Sequence, residues 1–130
     1  MKSTSKIVAA GLSGIVLGAI GTSFAAQTAA PPAYYVGNVQ EVKDAEAYKT
    51  YAAKVPDTLA SFGGKFIVRG AEPVILDASK KPPGYIVVIQ FPSMKNLRDW
   101  WNSSVYSSIR PIRERLTTGQ NYAVEGLPPS

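Results

Sequence analysis

The chain contains no cysteine and no histidine. It therefore has no thiolate nucleophile, no disulfide, no imidazole base and no ordinary ligand set for zinc or copper. A histidine-ligated haem and a Ser-His-Asp triad are excluded within one subunit for the same reason. Carboxylates could still hold a hard metal ion, but no spacing resembles a calcium loop. The sequence thus predicts no metal site and no bound cofactor.

The excess of basic over acidic residues is also small. The formal net charge is +5, and without Lys2 and Lys6 it is +3, since twelve basic residues then face nine acidic ones. The basic residues are scattered among acids rather than gathered in one run, except near the C-terminus. Because nucleic-acid binding needs a concentrated basic patch, the sequence predicts no nucleic-acid partner.

Residues 1–25 have the features of a signal peptide. Lys2 and Lys6 precede an uncharged stretch from Ile7 to Ile20, and Ser23-Phe24-Ala25 supplies small residues where a signal peptidase reads them. An uncleaved anchor is the alternative, because Ile7 to Ala26 is about long enough to cross a bilayer. Glycine and serine dilute the apolar stretch, which favours cleavage. We therefore expect a periplasmic or secreted protein with no membrane attachment afterwards.

The mature chain is predicted to begin with a flexible lead-in at 26–32, followed by one domain at 33–127. Ala33 to Val42 is typical of a strand. Asp44 is a good helix N-cap, and the apolar spacing that follows predicts a helix kinked at Pro56 and ended by Gly63-Gly64. Lys65 to Arg69 is a second strand, and Glu72 to Asp77 could add a small extra one.

The second half repeats this order. Tyr85 to Phe91 is an apolar run without alternation, which indicates a strand covered on both faces. Ser93 caps a helix, and Ser103 or Ser104 begins another whose core stripe is Val105, Ile109, Ile112 and Leu116, with Pro111 limiting its regularity. Thr117 to Gln120 is predicted as a turn and Asn121 to Glu125 as the last strand. The predicted fold is α+β and ferredoxin-like, β-α-β-β-α-β, with the helices on one face of an antiparallel sheet.

A single layer of two helices covers only one face of such a sheet. Because the strand at Tyr85 to Phe91 looks apolar on both faces, something else must cover the second one. In a small chain a second copy is the simplest cover, which predicts a homodimer packed through the sheet face. The alternative is a moderately apolar face left exposed.

The sequence resembles family 1330 of the domains of unknown function, over about Ala33 to Gly126. The motifs that carry the resemblance are Tyr35-x-x-x-Val39, Asp44-x-Glu46-Ala47-Tyr48-x-x-Tyr51, Phe62-Gly63-Gly64-Lys65-Phe66-x-Val68-Arg69-Gly70, Val88-Ile89-Gln90-Phe91-Pro92-Ser93, Ser104-x-Tyr106 and Val124-Glu125-Gly126. The resemblance implies a dimeric α+β barrel. Related barrels include cofactor-independent monooxygenases, haem-degrading enzymes and muconolactone-type isomerases, and the fold does not choose among them.

Candidate ligand-binding residues follow from the usual cavity between sheet and helices. Strand alternation places Arg69 with Lys65 and Ile67, at a cavity or at a solvated edge. Tyr106, Arg110 and Arg113 recur at i, i+4 and i+7 and could bind a carboxylate or another anion.

The alternative for Arg110 and Arg113 is pairing on the surface with Glu114, Glu72 or Glu125. Asn38 and Trp100 resemble side chains used by the related oxygenases, but tryptophans there are more often core or interface anchors. Glu72 could act as a base if buried.

Two functions are consistent with these residues. The first is a homodimeric binding or accessory module for a small anionic or aromatic ligand. The second is a cofactor-independent monooxygenase or isomerase for a small aromatic or lactone-like substrate. No catalytic residue can be named from the sequence.

Overall fold

The computed structural model describes residues 29–77 and 81–130. The predicted signal peptide and the start of the lead-in lie outside these residues. Within them, no helix is long and apolar enough to cross a membrane. The elements in chain order are β1 (Ala33–Val42), α1 (Ala45–Leu59), a 3-10 turn (Ala60–Phe62), β2 (Lys65–Ala71), β3 (Tyr85–Phe91), α2 (Met94–Trp101), α3 (Ser104–Ser107), α4 (Arg110–Leu116) and β4 (Thr117–Glu125).

The four strands form one sheet in the order β2-β3-β1-β4, and every neighbouring pair is antiparallel. Buried and half-buried residues alternate along β1, and the buried ones face the helices. The helices pack on one face only, so the ferredoxin-like α+β fold is confirmed. The core between the two layers centres on Trp100, Tyr106, Phe91 and Ile89, each less than 2% exposed.

Local signals in the sequence set the ends of the helices. The Asp44 carboxylate accepts a hydrogen bond from the Ala47 backbone N–H at 3.1 Å, and Ser93 accepts one from Asn96 at 3.1 Å. Both predicted N-caps are therefore confirmed. α1 runs through Pro56 as one helix, and the 3-10 turn after it ends at Gly63, which has a left-handed φ of 71°.

The extra strand expected at Glu72 to Asp77 is wrong. These residues pair with none of the described strands, and the side chains of Val74 and Leu76 are 84% and 95% exposed. β2 is the edge strand of the described sheet, and residues 72–77 follow it without pairing to it. Pro73 also lacks the N–H that a ladder would need.

The turn expected at Thr117 to Gln120 is also wrong, because β4 already begins at Thr117. Thr117 and Thr118 pair with Val42 and Glu41 across a register shift in β1. Gly119 adopts a φ of 141° and passes so close to the Asn38 carbonyl that no Cβ would fit. Long-range pairing thus overrides a turn-like composition.

The helix predicted to begin at Ser103 or Ser104 is divided into two, α3 and α4. Pro111 lies in the first turn of α4, where its missing N–H costs nothing, and the chain between Ser107 and Arg110 is not α-helical. Val105 in α3 is 50% exposed, whereas the neighbouring Tyr106 is buried. The prediction that Val105 belongs to the core stripe is therefore wrong, whereas Ile109 and Ile112 pack against the core.

Candidate functional site

A cavity of about 220 Å³ lies between the sheet and the helices. Its walls are mostly apolar and aromatic, and its polar groups are phenols, guanidinium groups and one amide. The lining includes Tyr35, Tyr48, Tyr51, Phe66, Arg69, Val87, Trp100, Tyr106, Arg113 and Asn121. An apolar cavity with a few convergent polar groups is the usual form of a small-molecule site.

Two buried phenols meet at the centre of the site. The hydroxyl oxygens of Tyr51 and Tyr106 lie 2.8 Å apart, and Arg113 Nε donates to Tyr106 over a longer 3.4 Å. The two hydroxyls carry two protons, and the bond between them uses one. The pair therefore retains one O–H donor that the bond between them does not use.

Arg113 is the charged group of the cavity interior, with only 7% of its surface exposed. Among the described residues it pairs with no carboxylate, and its neighbours are Tyr106 and the Trp101 ring, whose centroid lies 5.9 Å from Cζ. Desolvation by burial lowers the pKa of Arg113, but the oxygens of Tyr35 and Tyr106 raise it overall. The guanidinium stays charged, so the cavity holds a positive charge without an acidic partner.

A bulge in β2 brings Arg69 to the same cavity. Phe66 pairs with Ile89 and Val68 with Val88, so Ile67 is an extra residue in β2. The bulge reverses the alternation, and Arg69 falls on the helix-facing side with Phe66 rather than with Lys65 and Ile67 as the sequence predicted.

The Arg69 side chain lies at the mouth of the cavity. Its guanidinium carbon is 4.5 Å from the centroid of the Phe66 ring, and Nη2 donates to the Ala52 carbonyl at 3.2 Å. Arg69 is exposed, in contrast to Arg113 in the interior. The two guanidinium groups thus lie at the entrance and inside of one cavity.

Trp100 forms an inner wall and is fully buried. Its ring stacks on Tyr106 with centroids 4.1 Å apart, and its indole N–H donates to Thr58 Oγ1 at 2.9 Å. Thr58 in turn donates to the Val55 carbonyl of α1. Because the polar atom of Trp100 is satisfied by the protein, its contribution to the cavity is a fixed apolar surface.

Tyr35 and Asn121 close one side of the cavity. The Tyr35 hydroxyl donates to Asn121 Oδ1 at 2.6 Å, across neighbouring strands. Gly37 lies beside this pair, and a Cβ there would come within 3.0 Å of the Asn121 oxygen. The absence of a side chain at Gly37 therefore leaves room for the hydrogen bond.

Burial is the main cause of the raised pKa values of Tyr35, Tyr48 and Tyr51. Desolvation raises the pKa of Tyr51, and the neighbouring Tyr106 raises it further. Desolvation likewise raises the pKa values of Tyr35 and Tyr48, while Arg113 partly opposes it. All three phenols are protonated at neutral pH, so each has a proton to donate and none acts as a base.

The structure brings four of the seven candidate residues to this cavity: Arg69, Trp100, Tyr106 and Arg113. It places Arg110 elsewhere, with its guanidinium 4.5 Å from the Trp101 ring centroid and 3.8 Å from the Glu114 carboxylate. Asn38 lies on the opposite face of the sheet and accepts hydrogen bonds from Gln40 and the Gly84 N–H. Glu72 is exposed in the connection between β2 and β3.

Sequence reasoning missed the cavity roles of Tyr35, Tyr48, Tyr51 and Phe66. The tyrosines of α1 lie on its apolar face, where helical spacing alone predicts ordinary core residues. A buried tyrosine hydroxyl needs a hydrogen-bond partner, so tyrosines within an apolar helix face indicate that polar groups lie nearby. Among the described residues, no cluster of three or more carboxylates forms a candidate metal site.

The comparisons with known proteins agree with this fold. The model of a domain of unknown function, DUF1330, matches residues 32–127. The crystal structure of RPA0582, a protein of unknown function from Rhodopseudomonas palustris, superposes with a TM-score of 0.62 at 17% identity, covering 85% of this chain and 93% of that one. No curated protein matches the chain significantly.

A weaker similarity is to SnoaB, a cofactor-independent oxygenase from Streptomyces nogalater. Its TM-score is 0.47 at 12% identity, covering 73% of this chain and 92% of that one. At these values the similarity supports no conclusion about activity.

Proposed function

The chain belongs to the DUF1330 family, and we propose that it binds a small organic anion with an aromatic or apolar body in the cavity around Arg113. The observation that carries this proposal is the buried Arg113 guanidinium, which has no acidic partner among the described residues. A buried charge is normally paired, because removing it from water is costly. A bound anion supplies the missing partner.

The hydrogen-bonding groups near Arg113 suit an anion. The Tyr51–Tyr106 pair has an O–H donor to spare, and Tyr48 is protonated. Charge-assisted hydrogen bonds from such donors stabilise an oxyanion more than a neutral acceptor. Arg69 at the mouth adds a second positive charge that attracts an anion towards the entrance.

The size and walls of the cavity define the rest of the ligand. An apolar cavity of about 150 Å³ accommodates benzene, and this cavity is larger, at about 220 Å³. A single ring with an acidic substituent fits such a volume. The rings of Trp100 and Phe66 offer flat surfaces against which an aromatic body stacks.

The residues that line the cavity favour a binding role over acid-base catalysis. The described lining residues include no aspartate, glutamate or lysine. The phenols of Tyr35, Tyr48 and Tyr51 have raised pKa values, so none of them serves as a base near neutral pH. A cofactor-independent oxygenase or isomerase is the alternative function, and it would have to draw its base from the substrate or water.

We propose that the binding unit is an exported homodimer. Export is supported by the signal-peptide features of residues 1–25. Dimerisation is supported by the uncovered face of the sheet, which carries the half-buried Val36, Ile86 and Val88 and the half-exposed Tyr122. A second copy packed on this face would bury these side chains.

Benzoate and its neutral isostere benzamide test the proposal by isothermal titration calorimetry. A charge-assisted bond favours the anion by about 1.5–3 kcal/mol, so we expect benzoate to bind at least about tenfold more tightly than benzamide. Arg113→Met should abolish this preference. Arg110→Met is the matched control, because Arg110 lies outside the cavity, and it should retain it.

Two results would overturn the proposal: no benzoate binding at millimolar concentration, or equal affinity for the two compounds. Oxygen uptake accompanied by loss of an added phenol would favour the oxygenase alternative.

A further inference from the structure

A second cavity lies directly beside the first, between α2 and β4. Its volume is about 310 Å³, and its lining is Tyr35, Leu97, Arg98, Trp101, Asn121, Tyr122 and Ala123. Tyr35 and Asn121 also line the first cavity. The hydrogen-bonded pair they form is therefore the wall between the two spaces.

The wall is made of side chains, so opening it would break none of the backbone hydrogen bonds of the sheet. It consists of two side chains joined by one neutral hydrogen bond of 2.6 Å. Asn121 lies on β4, an edge strand, and is exposed, so its amide is free to turn towards solvent. Such a rotation releases the Tyr35 hydroxyl.

The walls of the second cavity suit an aromatic group. Leu97 and Trp101 from α2 face Ala123 from β4, which leaves a slot with apolar sides. Tyr122 borders the slot, but its side chain lies on the uncovered face of the sheet because Tyr122 pairs with Val36. Arg98 lies at its edge, is exposed and forms no ion pair with any described residue. Arg98 and Arg113 thus place one positive charge at each of two adjoining apolar spaces.

We infer that the second cavity is a subsite that extends the first, and that the protein takes an elongated aromatic acid with an anionic group at each end. This inference rests on the proposed function for the end held by Arg113. The distal anionic group pairs with Arg98, while the second aromatic portion lies between Trp101 and Ala123. The Tyr35–Asn121 pair opens where the two portions join, and it stays closed when only a short ligand is bound.

Three acids test the inference by calorimetry on the protein expressed from its full coding sequence: benzoate, biphenyl-4-carboxylate and biphenyl-4,4′-dicarboxylate. We expect the diacid to bind at least about tenfold more tightly than benzoate. Arg98→Gln should weaken the diacid about tenfold and leave both monoacids within about twofold. Lys95→Gln, on the same helix but outside the cavity, is the matched control and should change none of the three.

A spectroscopic readout locates the ligand independently of affinity. The chain has two tryptophans, and Trp100 lines the first cavity whereas Trp101 lines the second. Protein labelled with 5-fluorotryptophan should give two fluorine resonances, assigned with Trp101→Phe. We expect benzoate to shift mainly the Trp100 resonance and the diacid to shift both.

The outcomes separate the two proposals. If benzoate fails to bind, the proposed function fails. If benzoate binds but neither biphenyl acid binds the wild type or Asn121→Ala, the subsite is overturned. It is equally overturned if the diacid binds with the same affinity to wild type and Arg98→Gln.

Discussion

The hydroxyl oxygens of Tyr51 and Tyr106 lie 2.8 Å apart inside the protein, one carried by α1 and the other by α3. Tyr106 also accepts a hydrogen bond from Arg113 on α4. One phenol therefore connects three helices and the buried guanidinium. The position of the positive charge in the cavity depends on this contact.

We expect the Tyr51–Tyr106 pair to be energetically coupled. Tyr51→Phe removes one hydrogen bond and should lower the free energy of unfolding by about 0.5–1.5 kcal/mol. Tyr106→Phe should cost more, since it also leaves Arg113 without its partner. Urea denaturation of both single variants and the double variant measures the coupling.

The control for this cycle is Tyr122→Phe, because the Tyr122 side chain is 50% exposed. It should change the free energy of unfolding by no more than about 0.5 kcal/mol. Strictly additive effects of Tyr51→Phe and Tyr106→Phe would show that the hydroxyl contact contributes nothing.

Parts of this site were predictable because their signals are local. The i, i+7 spacing of Tyr106 and Arg113 placed them on one side of the chain, and it survived although Pro111 divides the helix. The bounds of β3 were also predictable, since an uninterrupted apolar run ended by Pro92 has few other interpretations.

Other parts depend on contacts distant in the sequence. Ile67 is an ordinary strand residue in composition, and only its pairing with β3 makes it a bulge, so the side of the sheet on which Arg69 lies could not be predicted. Similarly, the helical spacing of Tyr48 and Tyr51 indicates an inward face but does not distinguish a packed core from the wall of a cavity.

Removing the buried charge should weaken ligand binding without lowering the stability of the protein. Arg113→Met replaces an uncompensated guanidinium with an apolar side chain of similar length. We expect the free energy of unfolding to stay within about 1 kcal/mol or to rise, because the desolvation cost disappears. Benzoate affinity should fall at least about tenfold.

The comparison for this variant is Arg110→Met, whose guanidinium lies on Trp101 and near Glu114. It should keep benzoate binding. A loss of several kcal/mol of stability in Arg113→Met would mean that Arg113 is a structural residue, since breaking a buried hydrogen-bond network is one of the few changes that cost that much.

The buried tyrosines predict an alkaline limit of stability. Desolvation raises the pKa values of Tyr35 and Tyr51 in the folded protein above the value near 10 expected when the chain is unfolded. Above that pH the unfolded state loses these protons first. Stability contributed by protonated Tyr35 and Tyr51 is therefore complete below about pH 10 and falls as the pH rises further, by up to about 1.4 kcal/mol per unit for each group.

Absorbance at 295 nm and far-ultraviolet circular dichroism check this limit together. Ionisation of the buried phenols should coincide with loss of helical signal in one cooperative step. Tyr51→Phe should make the decline with pH shallower. Ionisation of all tyrosines in a protein that keeps its circular dichroism would contradict the prediction.

The uncovered sheet face leads to a prediction about assembly. Val88 on β3 pairs in register with Val36 on β1, and both side chains point away from the helices. Light scattering after size-exclusion chromatography should give twice the mass of one mature chain. Val88→Glu should give a monomer, because a charge buried in the centre of this face has no partner. Stable interfaces bury about 800 Å² on each partner, and a four-stranded sheet offers a surface of this order.

The matched control is Val105→Glu, which makes the same change on the helical side, where Val105 is 50% exposed. It should leave the mass unchanged. A wild-type protein that is monomeric at all concentrations would contradict the dimer. A dimer that persists in Val88→Glu but dissociates in Val105→Glu would place the interface on the helices, and the sheet face would then be an exposed surface with no partner from this chain.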